Sequence, residues 1–93
     1  MTTQPEYGPS LAAVVELARA DLAERLGLEE SAIEVVLAEL VTWSDGSLGC
    51  PQPGMMYTQA LVEGSRVVLQ VEGRFYDYHA GTDGEPFLCE GEE

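Results

Sequence analysis

Residues 66–79 read RVVLQVEGRFYDYH. Arg66–Val71 and Arg74–His79 are rich in β-branched and aromatic residues, and only Glu72-Gly73 separates them. Two such runs around a two-residue loop predict a β-hairpin. A loop that short fixes the register, and a slip of one residue would turn every side chain to the wrong face. Val71 must then oppose Arg74, Leu69 oppose Tyr76, and Val67 oppose Tyr78, which makes one largely apolar face. On the other face Gln70 opposes Phe75, Val68 opposes Asp77, and Arg66 opposes His79. Asp77 and His79 are two residues apart and point the same way. Arg66, Asp77 and His79 therefore gather into a small polar cluster. Its plain expectation is a solvated cross-strand network, worth about 0.2–1 kcal/mol per pair. Its chemical alternative makes His79 a titrating or catalytic group.

An apolar sheet face needs a cover, and the sequence upstream supplies one. Leu11, Val14, Val15, Ala18, Leu22 and Leu26 recur at spacings of three and four, which predicts a helix with one apolar stripe. Ser10 is the expected N-cap and Gly27 the expected C-terminal glycine. LEESA follows as a connection. Ala32–Trp43 then reads as a long strand with apolar residues on both parities, which predicts a bulge near Ala38–Glu39. Further strands are expected at Met56–Val62, with Glu63-Gly64 as a turn, and at Pro86–Cys89. The loop Ala80–Glu85 precedes the last of them. The predicted architecture is α+β: an N-terminal helix packed on a curved antiparallel sheet of about four strands. Its outline is similar to the cystatin-like and PepSY-like folds, a likeness that carries no function. Residues 1–9 are expected to be a flexible lead-in, 10–89 a single domain, and 90–93 an acidic tail.

The chain has 93 residues and a net charge of −13, with 17 acids against four arginines. Such a field repels nucleic acid and anionic membranes. The acids are spread along the chain rather than ranked on one face, which fits an acidic soluble surface better than a nucleic-acid mimic. No apolar run is long enough for a membrane span. The sequence as given opens without a basic and apolar leader, which suggests the cytoplasm. A leader removed in processing would instead suggest an extracytoplasmic site.

The segment Trp43–Tyr57, WSDGSLGCPQPGMMY, concentrates the scarce residue types. Cys50 and Cys89 form an even pair, read simply as one disulfide; in a reducing compartment they would be two thiols. No metal site or cofactor is expected, since two distant cysteines and one histidine lack ligand spacing. A Cys50/His79 enzyme is conceivable, but Pro51 and Pro53 prevent the helix N-terminus that commonly activates a thiol. Trp43, Met55, Met56 and Tyr57 form either a mini-core that seats the loop or the lining of a small apolar pocket. The prolines also suggest a stiff, extended loop, Cys50–Tyr57, of the kind that protease inhibitors insert into a specificity pocket.

The runs V-T-W-x-D-x-S-L-G-C-P-x-P-G-M-x-Y (Val41–Tyr57), R-V-V-L-x-V-x-G-R-x-Y-x-Y-H (Arg66–His79) and P-F-L-C-E (Pro86–Glu90) resemble a family of small bacterial domains of uncharacterised function, often secreted or lipoprotein-borne. The resemblance covers the chain from the helix onward. It implies that Cys50 and Cys89 are the family's pair, and it carries over no catalytic residue, cofactor or ligand. The expectation is a non-enzymatic binding domain for a protein or small ligand, monomeric or weakly dimeric. Its working surface is expected to comprise Trp43, Pro51, Pro53, Met55, Met56, Tyr57, Arg66, Asp77 and His79.

Overall fold

The computed structural model describes residues 9–89. The lead-in, apart from Pro9, and the acidic tail expected at 90–93 lie outside the described residues. Helix α1 spans Pro9–Leu26, and a single 3-10 turn occupies Glu30–Ala32. Strands β1 (Glu34–Trp43), β2 (Val62–Val71), β3 (Arg74–Ala80) and β4 (Phe87–Leu88) follow, and they form one antiparallel sheet in the order β1-β2-β3-β4. The fold is one helix followed by a four-stranded open sheet, an α+β arrangement.

The hairpin has the expected register, from Val71 opposite Arg74 to Arg66 opposite His79. Its turn residues take φ of 50° at Glu72 and 81° at Gly73, as a mirror-image turn demands of both central positions. Val67, Leu69, Val71 and Tyr78 are buried against Val14, Val15, Ala18 and Leu22 of the helix. The helix ends at Gly27, where the Leu28 N–H donates to the Ala23 carbonyl at 3.0 Å and closes the last turn. Two details at the helix ends differ from expectation. The helix already includes Pro9, so it starts before Ser10, the expected cap position. Leu26 is 39% exposed, and Ala23 joins the core instead.

The largest departure concerns the second strand. Residues 51–61 form no strand, and Glu63-Gly64 is not a turn but lies within β2. The reason is the length of β1: its C-terminal half is paired only if β2 starts at Val62, with Thr42 opposite Glu63 and Val41 opposite Gly64. Gly64 serves a steric purpose. A Cβ there would run into the Ala80 carbonyl and lie 2.6 Å from the Trp43 indole nitrogen. The bulge is also displaced. It falls between Val35 and Leu37, at Val36, rather than at Ala38–Glu39. From Leu37 onward the strand alternates regularly, which sets Glu39 on the face away from the helix and Leu40 on the helix side.

The candidate functional site

The face of the sheet away from the helix carries Leu37, Glu39, Val41 and Trp43 of β1, Arg66 and Val68 of β2, and Asp77 and His79 of β3. The three polar residues of the hairpin meet there as expected. Arg66 donates from Nε to Asp77 Oδ1 at 2.9 Å and from Nη2 to Oδ2 at 3.2 Å, a two-pronged pair. The expectation of a solvated cluster does not hold for His79, which is only 5% exposed. The first half of the long loop, residues 44–50, folds back over it.

The lid over His79 is built from local turn chemistry. Asp45 Oδ1 accepts hydrogen bonds from the Ser47 hydroxyl at 2.6 Å and the Ser47 N–H at 2.9 Å, an Asx-type turn. Those two bonds hold the Asp45 carboxyl below the usual carboxylate range. The chain then passes through Leu48 and Gly49 with φ of 56° and 74°. Gly49 has to be glycine on two grounds: the left-handed backbone, and a Trp43 ring so close that a Cβ would sit 2.8 Å from Cε3. Trp43 in turn stacks on His79, with ring centroids 4.6 Å apart, and donates from Nε1 to the Ala80 carbonyl at 2.9 Å. Phe87 meets the imidazole from another side, edge-on.

His79 Nδ1 lies 2.7 Å from the Leu48 carbonyl oxygen. A carbonyl can only accept, so Nδ1 carries a proton. Nε2 lies 3.2 Å from Asp77 Oδ1, within ion-pair distance, but its orientation is not that of a hydrogen bond, and the atom is buried without a hydrogen-bond partner. The imidazole is therefore a clasp for the loop through Nδ1 and only a neighbour of Asp77 through Nε2.

A disulfide completes the anchorage. Cys50 and Cys89 are bonded, with Cα atoms 5.9 Å apart, so the loop is tied to the residue that follows β4. Cys89 also donates its N–H to the Asp77 carbonyl at 2.8 Å. At the far side, the Gly46 N–H donates to the Thr58 carbonyl at 2.8 Å and draws the two ends of the loop together.

Beyond Cys50 the character of the loop changes. Pro53-Gly54 forms a tight turn closed by the Met55 N–H on the Gln52 carbonyl at 3.2 Å, with φ of 78° at Gly54, the pattern of a type II turn. The segment is therefore folded on itself rather than extended. Tyr57 braces it by accepting the Gln52 N–H at its hydroxyl, 2.9 Å away. Met55 and Met56 neither seat the loop nor line a pocket. They are 60% and 91% exposed, and Leu61 is 73% exposed. The binding surface expected from sequence thus divides in two. Trp43, Arg66, Asp77 and His79 form a foundation, and Pro51, Pro53, Met55 and Met56 stand out from it. Leu48, whose carbonyl accepts the hydrogen bond of the clasp, gave no sequence signal beyond its place before Gly49.

Among the described residues, no group of three or more His, Cys, Asp or Glu is placed to hold a metal ion, and no helix is long and apolar enough to cross a membrane. A family model described as a domain of unknown function, DUF8738, matches residues 15–89, which take in every residue of this site. No curated protein and no solved structure matches the chain.

Proposed function

The chain belongs to the DUF8738 family, and from that premise we propose that it is a binding domain that presents the Pro51–Leu61 loop to an apolar recess on a partner protein. The observation that carries this reading is the contrast within one loop. Its first half is clamped by a disulfide, a buried histidine and a stacked tryptophan, while Met55, Met56 and Leu61 are held out in water. Burying such side chains fully is worth about 1.5–3 kcal/mol each. A clamped base lowers the ordering cost that a free loop would pay on binding. Methionine also adapts to irregular apolar surfaces. The disulfide favours an oxidising, extracytoplasmic setting for the encounter.

Photo-methionine at positions 55 and 56 tests this. Irradiated with candidate partner proteins, it is expected to crosslink saturably, with unlabelled wild type competing and the Met55→Ser/Met56→Ser variant failing to compete. Equal competition by that variant would remove the loop as the working surface.

A protease inhibitor is the narrower form of the same reading, with Met55 or Met56 entering a specificity pocket after the Pro53-Gly54 turn. Inhibition across a panel of serine and cysteine proteases tests it, and silence across the panel removes it. A Cys50/His79 enzyme finds less support. Bonded to Cys89, Cys50 has no thiolate to attack with, and the imidazole is buried under the loop.

A further inference from the structure

Strand β1 is the long open edge of the sheet. It pairs with β2 on one side, and among the described residues no backbone hydrogen bond reaches its other side. Proteins commonly blunt such an edge with lysine, proline, a bulge or an inward-pointing charge. Here the bulge at Val36 interrupts only the first part of the strand. Leu37–Trp43 contains no proline or lysine and a single charge, Glu39.

Beside this clean half lies a groove of about 280 Å³ on the helix side. Leu11 and Val14 of α1, Leu40 of β1 and Glu63 of β2 contribute to its walls. Leu40 is 68% exposed although Leu11 and Val14 are buried, so the groove offers unspent apolar surface at the sheet edge. A strand laid along β1 would alternate its side chains between the faces. A side chain beside Leu40 would enter the groove, and its neighbours would come beside Glu39 on the other face.

Charge selects the occupant. Glu34 and Glu39 are exposed on β1, Glu63 is exposed at the groove, and β1 carries no cation. Arg66, opposite Glu39, is held by Asp77 in two hydrogen bonds. A second copy of the chain would bring another net charge of −13 to the same edge. We infer that the β1 edge receives an extended, basic segment of a partner protein by strand addition, with one apolar side chain in the Leu11–Val14–Leu40 groove and arginine or lysine on either side of it. This surface is separate from the Met55–Met56 loop, and its loss would leave that reading standing.

The test uses the full chain labelled with nitrogen-15. The probe is a blocked nine-residue peptide that alternates arginine with valine and has leucine at the apolar centre. Amide shifts are expected to concentrate at Leu37–Thr42, Leu11 and Val14, and affinity to fall as salt is raised. Glu39→Arg and Leu40→Lys, both at exposed positions, are expected to weaken binding at least about threefold each while the spectrum stays that of the folded protein. A peptide N-methylated at alternate residues keeps the charge but cannot pair as a strand, and it is expected not to bind. Equal binding of that peptide, shifts confined to other surfaces, or a solution dimer that Leu40→Lys dissociates would each overturn the inference.

Discussion

Replacing both cysteines, as Cys50→Ala/Cys89→Ala, separates what the disulfide contributes from what the rest of the clasp contributes. The bond closes a loop with a sequence separation of 39. In the chain-entropy account a loop of that size stabilises by about 4 kcal/mol. A small domain has only about 5–15 kcal/mol in total, so the variant is expected to remain folded with its urea midpoint markedly lowered. The structure adds a local expectation. Strand β4 is two residues long and pairs only through Leu88 with Tyr78 and Phe87 with His79. Apart from the bond, the Cys89 N–H on the Asp77 carbonyl is what continues that edge. The loop at Leu48 has independent anchors: the Asp45 turn, the His79 hydrogen bond and the fit of Gly49 against Trp43. Hydrogen exchange should therefore show Leu88 and Cys89 losing protection first, while Cys50, whose N–H bonds to the Ser47 carbonyl, keeps much of its own. Urea titration and exchange on the oxidised wild type and the double variant measure both parts. A stability loss under about 1 kcal/mol, or loss of protection at Cys50 before Cys89, would refute the reasoning.

Tyr78→Phe removes the hydrogen bond from a buried phenol to Asp21 Oδ2, 2.7 Å long, and is expected to cost about 1–2 kcal/mol by urea titration. Burial raises the Asp21 pKa, but the bonds from Arg25 and Tyr78 outweigh it and hold the carboxyl below its ordinary range. A depressed carboxylate contributes stability that is present above its unfolded pKa and is lost as pH falls through the native value. Wild-type stability should thus drop at the acid end more steeply than that of Tyr78→Phe. Burial, reinforced by Asp21, raises the Tyr78 pKa, so the phenol's contribution is full below its unfolded pKa near 10 and fades as pH rises beyond it. Gly49→Ala forces a side chain into the left-handed backbone and onto the Trp43 ring, and a loss of about 2–4 kcal/mol is expected, read from the thermal midpoint. Arg66→Ala breaks a pair whose side chains are each more than a third exposed, so a cost under about 1 kcal/mol is expected, smaller still in molar salt. Met55→Ser/Met56→Ser should leave stability within about 0.5 kcal/mol of wild type, since both side chains already stand in water.

The parts governed by local rules were legible in the sequence. The Glu72-Gly73 turn determined the hairpin register, and with it the sorting of Val67, Leu69 and Tyr78 from Arg66, Asp77 and His79. The three- and four-residue spacing of Leu11, Val14, Val15, Ala18 and Leu22 determined the helix and its buried face. What the sequence did not determine depends on partners distant along the chain. Met56–Val62 has the alternation of a strand, yet the neighbouring position is taken by β2, which must begin at Val62 to pair the full length of β1. Glu63-Gly64 has turn composition, yet the glycine is there because Ala80 and Trp43 crowd it. His79 shares a sheet face with Asp77 two residues before it and Arg66 across the hairpin, and a solvated site was the natural expectation. It is buried because a loop from more than thirty residues upstream closes over it and is bonded in place. Backbone conformation and side-chain periodicity act over a few residues and so can be read from a few residues. Burial is decided by which segments meet, and that was settled only when the loop folded back onto the sheet.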